Sequence, residues 1–275
     1  MRSKFDPVPQ GLSGVCWLNR YSRPRFGPLM YAHHHPEIEA NVVESGSCKL
    51  VVNDRVQRLS RGDLFWLFPD QDHRVIEASD DLSFWVLLAR PELIAQRAKR
   101  VPHCAVQNPR FAVPRRLRER ERQRLHAVAS ALVECEDDPQ HHADGLAWWY
   151  AEACRITEAQ DARKGRPMHQ AVVNALALLD RDPSIPLGAL ADRVHMSPSR
   201  LSHLFVEQVE HSVSTHRNQL KLQRFQELLQ SGDSRNLTEA AFDAGFGSYA
   251  QCARVLKAHA GITPRELLET SEAAA

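Results

Sequence analysis

The chain has no C-x-x-C pair, no long apolar run and almost no net charge, and each absence removes a class of function. Its six cysteines (Cys16, Cys48, Cys104, Cys135, Cys154, Cys252) are scattered. They read as free thiols of a cytoplasmic protein, behaving as small buried hydrophobes. No stretch of roughly 18 apolar residues occurs, so no membrane-spanning helix is expected. The opening MRSKFDPVPQGLSG has no apolar segment of the secretory type. Lys and Arg number 35 against 34 Asp and Glu, a formal charge of +1, so no polyanion-binding signature marks the chain as a whole. What is there is ordinary for a soluble globular protein: 43% hydrophobic, 25% charged. The 275 residues favour two domains.

Residues 1 to about 90 read as strands. NVV, KLVV, LFWLF, VI and FWVLLA are short β-branched or aromatic runs. Ser45-Gly46-Ser47, Asn53-Asp54, Arg61-Gly62-Asp63, Pro69-Asp70 and Ser79-Asp80-Asp81 supply turn chemistry between them. Short strands at this spacing predict an antiparallel barrel or sandwich. From Pro114 to Glu136 the pattern predicts a charged helix, with Leu117, Leu125, Val128 and Leu132 on one face. Its RRLRERERQR block reads as a solvated face laced with ion pairs, or as a dimer or phosphate contact. DDPQHHADG then breaks the helix, leaving His141 and His142 in a loop, and Gly145 to Ala162 forms another. ARKGRP, 162 to 167, reads as a linker.

From Met168 the chain reads as helices, and an internal repeat appears. LGALADRVHM matches LTEAAFDAGF fifty positions later; Ser197, Leu201, His203 and Phe205 then match Ser248, Cys252, Arg254 and Leu256 at fifty-one. Each copy has the logic of a helix-turn-helix. An amphipathic helix is followed by a tight turn, and then by a helix capped by Ser197-Pro198 or Ser248. His195 and Gly245 occupy the turn position where φ is expected to be positive; histidine is one of the few non-glycine types that visits that region. In the first unit Leu201, Leu204 and Phe205 are predicted core. Ser199, Ser202, His203 and Val206 point away, with Arg200 flanking. In the second unit Cys252, Val255 and Leu256 are core; Ala250, Ala253, Arg254 and Lys257 face out, with Gln251 flanking. Small, hydrogen-bonding and cationic side chains suit base edges and phosphates in a major groove. Between the units, a helix from about Val213 to Leu229 would be roughly 25 Å long, enough to hold two recognition helices about one DNA turn apart.

Residues 168 to 270 resemble the DNA-binding domain of the AraC/XylS family of transcription regulators. The resemblance rests on LADRVHMSPSRLSHLF, QLKLQRFQELLQ and AAFDAGFGSYAQCARVLKAHAGITPREL. It implies two helix-turn-helix units in one monomer. It implies DNA contacts at Ser199, Ser202 and His203 and at Tyr249, Ala250, Gln251 and Arg254; Arg200 and Lys257 join them from the face analysis. The chain departs from the family at Glu210, where glycine is usual, at Cys252 and Ala260, where aromatics are usual, and at His203 in place of arginine. Residues 165–275 carry 11 Lys and Arg against 12 Asp and Glu. Phosphate attraction must therefore come from local cations: Arg200, Arg217, Lys221, Arg254 and Lys257.

In the first half, Gly27, His33, His35, Glu39 and Gly46 reproduce the spacing of the first cupin motif, and Gly62 to His73 resembles the second, with Phe68 at the usual proline and Asp70 at the usual glycine. This implies a cupin-like barrel over roughly 20 to 90, a common sensor in the same regulator family. Strand parity points His33, His35 and Glu39 inward and His34 outward, with Glu37 left open by Pro36; His73 arrives from another strand. Three readings stay open. His33, His35, Glu39 and His73 hold a divalent metal of the Fe, Mn, Ni or Zn kind, or they line a ligand pocket with Trp66, Phe84 and Trp85 as apolar wall, or the barrel has no physiological ligand. The fold expected is α+β and multidomain: a sensor over 1–95, a helical linker and dimerisation segment over 96–165, and the DNA-binding domain over 166–275. The leading function is a cytoplasmic, non-enzymatic transcription regulator. Its partners would be promoter DNA, a small polar effector such as a sugar or sugar acid, a second copy, and RNA polymerase if it activates. A metal-dependent cupin enzyme with a helical appendage, an isomerase or dioxygenase, is the alternative.

Overall fold

A computed structural model describes residues 8–20, 32–98, 114–135, 138–158, 166–231 and 236–272. Gly27, Cys104, Gly232, segment 99–113 of the expected linker and residues 162–165 of ARKGRP lie outside the described residues.

The first half is antiparallel throughout. Strands β1 (Gly14–Arg20), β7 (Ser83–Ala89), β2 (Ile38–Ser45), β5 (Asp63–Leu67) and β8 (Arg115–Arg116) form sheet A in that order. Strands β6 (His73–Ala78), β3 (Ser47–Val52), β4 (Arg55–Ser60) and β9 (Arg166–Pro167) form sheet B. The five strand-like runs fall in β2, β3, β5, β6 and β7. The architecture is a cupin-like sandwich of two facing sheets rather than a closed barrel. Gly46 makes the β2–β3 turn at φ +68, where an added Cβ would lie 2.7 Å from the Leu82 backbone, so no larger residue fits that turn.

The helical hairpin α2 (Glu119–Glu134) and α3 (Pro139–Glu158) covers the outer face of sheet A, joined by α1 (Pro91–Ala98). Two expectations change here. The helix expected from Pro114 starts only at Glu119, because Arg115–Arg116 first pairs with Leu64 and Asp63 as an edge strand. No loop holds His141 and His142: α3 begins at Pro139, a residue suited to a first helical turn, and His142 is buried within it. Trp149 and Tyr150 are fully buried, and the Tyr150 hydroxyl lies 2.8 and 2.7 Å from the carbonyl oxygens of Ile38 and Leu87, pinning the hairpin to two strands.

The second half comprises α4 (Gln170–Arg181), α5 (Leu187–Arg193), α6 (Pro198–Val209), α7 (Val213–Ser231), α8 (Leu237–Asp243), α9 (Tyr249–Ala260) and α10 (Pro264–Glu272). The pairs α5–α6 and α8–α9 are the two repeated units, joined by α7. His195 and Gly245 adopt φ +55 and +90, as the repeat requires. The Ser197 hydroxyl accepts from Arg200 N–H and the Ser248 hydroxyl from Gln251 N–H, capping both second helices. Leu201, Phe205, Cys252 and Leu256 are fully buried, a contribution of roughly 1.5–3 kcal/mol for each of the larger side chains.

Candidate functional site

Between the two sheets lies a cavity of about 120 Å³. Its polar end is built from His33, His35, Glu39, Asn41 and His73, with Asn19 nearby along the wall. Strand alternation produces this grouping: Glu39, Asn41 and Val43 on β2 face the cavity, while Ala40 and Val42 face the hairpin. His33 and His73 meet through a mutual backbone bridge, N–H to O at 3.1 and 2.9 Å, and their rings lie 4.1 Å apart. His34 points away and pairs with Asp72 at 3.1 Å. Glu37 is buried beside His35 at 3.6 Å and does not line the cavity.

The remaining wall is apolar: Leu50, Leu59, Leu67, Val75, Phe84, Val86 and Leu88 among others. Two expected wall residues are elsewhere. Trp66 and Trp85 alternate with Leu67 and Phe84, so their indoles lie on the hairpin side of sheet A. Trp66 donates to Thr157 Oγ1 at 3.0 Å and Trp85 to His126 at 3.0 Å. Phe84 lines the cavity as expected. Cys48 also lines it, but burial and then the Asp63 charge push its thiol up to about 12, which removes it as a nucleophile.

Within the polar end, donors and acceptors are largely committed. His35 Nε2 and Asn41 Nδ2 reach the two oxygens of Glu39 at 2.8 and 2.7 Å. Burial alone would lower His35, but the Glu39 hydrogen bond and the charges of Glu39 and Glu37 outweigh it and raise the ring above the ordinary histidine value. Burial also opposes ionisation of Glu39, yet the His35 bond and the nearby histidines hold it below the usual carboxylate range. His73 moves the other way, lowered by burial against the pull of Glu39. Three donors suited to a divalent metal, on His35, Glu39 and His73, lie within 4.8 Å of one another, with His33 alongside. Two imidazoles and a carboxylate match a known metal set, but an ion would have to replace the His35–Glu39 hydrogen bond.

The second region is the outward face of α6 and α9. Ser199, Arg200, His203, Ala250, Arg254 and Lys257 are exposed, and Ser202, Tyr249 and Gln251 are half-buried. Gln251 Oε1 accepts from Gly247 N–H at 2.8 Å and Lys257 donates to the Gly261 carbonyl at 2.7 Å, so both also hold their own helix ends. Val206 stands 47% exposed on this face. Two of the five expected phosphate-attracting cations serve the fold instead. Arg217 donates to the carbonyls of Pro183 and Ser184, and Lys221 is buried against the Phe246 ring.

Sheet B joins the two regions. On β3, Cys48 and Leu50 line the cavity while Lys49 and Val51 face the helices; on β6, His73 and Val75 line it while Arg74 and Ile76 face the helices. Val51 and Ile76 belong to the same apolar core as α4, α5 and α6. Around that core are ion pairs. Arg74 meets Asp180 of α4 at 2.6 Å, and Asp180 also accepts from the backbone of Ala32. Lys49 and Arg58 both pair with Glu210 at the end of α6. Asp180 is therefore gripped by the immediate neighbours of His33 and His73. Sequence reasoning passed over Lys49, Arg74, Asp180 and Asn41. For the strand residues the available signal was parity, with Lys49 and Arg74 opposite the cavity positions and Asn41 in line with Glu39; Asp180, on α4, offered none.

Two family models match the chain: an AraC-like ligand binding domain over residues 15–147 and a helix-turn-helix domain over residues 190–270. No curated protein matches it. Among solved structures it is similar to an apo lysine-to-alanine variant of ToxT from Vibrio cholerae (13% identity, covering 94% of this chain and 97% of that one, TM-score 0.41). It is also similar to unsaturated fatty acid bound wild-type ToxT of that organism (14%, 92% and 94%, 0.42). A third is the AraC-like transcriptional activator CuxR (12%, 70% and 66%, 0.34).

Proposed function

We propose, from the premise that this chain belongs to the AraC-like family of DNA-binding regulators, that occupancy of the sensor cavity governs how the first helix-turn-helix unit meets promoter DNA. The two matched families describe regulators, not enzymes, and the isomerase or dioxygenase reading is set aside. One observation carries the proposal: sheet B is a single layer with the cavity on one face and the first helix-turn-helix unit on the other. An effector can shift DNA binding only by favouring one arrangement over another. A molecule pressing on Leu50, Leu59, His73 and Val75 acts on the same strands that hold Asp180 and Glu210. The helices α2 and α3 would carry a homodimer contact and, in an activator, the exposed face of the DNA-binding half would meet RNA polymerase. A resident metal is not required, because His35 and Asn41 already satisfy Glu39; were one held, His35, Glu39 and His73 would hold it.

The test is a gel shift on the DNA upstream of the chain's own reading frame. Salt-sensitive, sequence-preferring binding is expected. It should respond to effector in the native chain and lose that response when Arg74 and Asp180 are both replaced by leucine. No sequence-preferring binding in any condition would remove the proposal.

A further inference from the structure

The cavity's chemistry is uneven in a way that narrows its ligand. Its volume of about 120 Å³ is close to that of engineered apolar cavities that accept a single six-membered ring. Among the described residues no lysine or arginine lines it, and its one lining carboxylate is Glu39. Both Glu39 oxygens are occupied, by His35 and Asn41. Two buried polar atoms of the lining residues have no hydrogen-bond partner among the described residues, His35 Nδ1 and Asn41 Oδ1. The first stands 3.6 Å from the buried Glu37 carboxylate, outside the lining, which leaves the Asn41 acceptor for a ligand. Asn41 is 6% exposed, lines the cavity, and has Nδ2 on Glu39 and Oδ1 without a partner among the described residues. A second acceptor stands nearby: His73 donates from Nδ1 to the Gln71 carbonyl at 2.9 Å, which in the neutral ring leaves Nε2 as a lone pair.

Resting on the regulator reading above, we infer that the effector is a neutral, mainly apolar molecule of about one ring in size that presents a single hydrogen-bond donor to Asn41 and His73. A carboxylate is acceptor only and would bring a second negative charge beside Glu39, whose cationic neighbour His35 is already committed to it at 2.8 Å. A sugar carries hydroxyls all round, and the leucine, valine and phenylalanine walls would leave most of them unpaired. A hydrocarbon fits the walls but leaves Asn41 Oδ1 buried and unsatisfied, a state native proteins avoid.

Calorimetry on the full chain with phenol, anisole, benzoate and galactose tests this. Phenol should bind about tenfold more tightly than anisole, which keeps the ring and removes the donor. Benzoate and galactose should bind more weakly than anisole. In Asn41→Leu the phenol-to-anisole ratio should fall to about one while anisole still binds. The ratio in the unaltered chain decides the matter if that variant fails to fold. Tightest binding by benzoate or galactose, equal binding of phenol and anisole, or no binding by any of the four would overturn the inference. The regulator reading is tested separately, by DNA binding, and survives or fails there.

Discussion

The two helix-turn-helix units share a repeat, a turn conformation and a serine cap, and they differ in what holds them. The first is built into the sensor: its core includes Val51 and Ile76 of sheet B, and Asp180 and Glu210 are tied to Arg74, Lys49 and Arg58. Among the described residues the second closes its core with α7 to α10 and the turns between them, and with none from either sheet. The two copies of one sequence unit thus have different surroundings: one packs on the cavity wall, and the other is joined to it through α7. Buried Lys49 and Arg74 carry this difference, since such charges are tolerated only when paired.

The most damaging way to break the contrast is Asp180→Ala. Arg74 would stay in the interface without its carboxylate, at a cost of about 3–5 kcal/mol. Hydrogen exchange should show sheet B and α4–α6 losing protection together while α8–α10 keep theirs. Replacing both Arg74 and Asp180 by leucine should recover most of the loss. Equal loss across both units would mean that the second leans on the sensor as well.

Acid should separate the units next. His211, in the turn after α6, and His216, in the first turns of α7, stack with Nε2 and Nδ1 at 3.0 Å, both against Phe205 of the first unit. Burial lowers His211 to about 4, with Lys49 and His259 adding to it against Glu77. Burial, then His211 and Arg74, lowers His216 well below the ordinary value. The unfolded chain therefore binds protons that the folded chain refuses. The stabilisation is complete above about 6.5 and drains as pH falls toward about 4, on the order of 3 kcal/mol for His211. Among the described residues the second unit has no buried histidine. Thermal melts across this range should show the α4–α6 signal falling first, and His216→Leu should flatten its slope. A second-unit signal falling in step would refute the assignment.

On DNA the contrast should fade, because both outward faces are exposed. Arg254→Ala and His203→Ala should each relax base preference by ~1–3 kcal/mol at the positions that residue reads. Footprints of the two variants should map to sites about one helical turn apart. Loss confined to Arg254→Ala would mean that the first unit, docked on sheet B, serves the sensor more than the operator.

How far these differences could be read in advance depended on period and on partners. The repeat, both serine caps and the positive φ at His195 were legible because local backbone chemistry decides them. The histidine cluster was legible because its glycine-framed spacing and strand parity agree. Parity sorts side chains into two faces but does not say which face meets the cavity. Sheet A is covered on both faces, so Trp66 and Trp85 looked as suitable for the wall as Phe84. Lys49, Arg58 and Arg74 drew no reading in the sequence because Glu210 and Asp180, which they meet, lie more than a hundred residues away. β8 and β9 are two residues long, too short to show any period.

The finest test exchanges the residues at the ends of the two recognition helices. Glu210 and Gly261 close α6 and α9 in the same left-handed conformation, at φ 67 and 75. Such a backbone costs a non-glycine residue ~1 kcal/mol. The exposed Arg58 pair with Glu210 returns ~0–1 kcal/mol, and buried Lys49, when Glu210 is removed, keeps Glu77 at 2.5 Å. The lysine hydrogen bond, against the opposing effect of burial and with the charges of Lys49 and Arg58, holds the Glu210 carboxyl below its usual range, so this contact persists until pH falls through that lowered value. Glu210→Gly should therefore leave the melting temperature within a few degrees while loosening the sensor's hold on α6, measured as a smaller effector response in the gel shift. Gly261→Glu meets open space within 4 Å and gains no sensor contact, so it should lose ~1 kcal/mol and leave the response intact. A Glu210→Gly chain that responds to effector as strongly as the original would show that glutamate at this cap is incidental, and that Asp180 with the apolar contacts of Val51 and Ile76 ties the first unit to the wall.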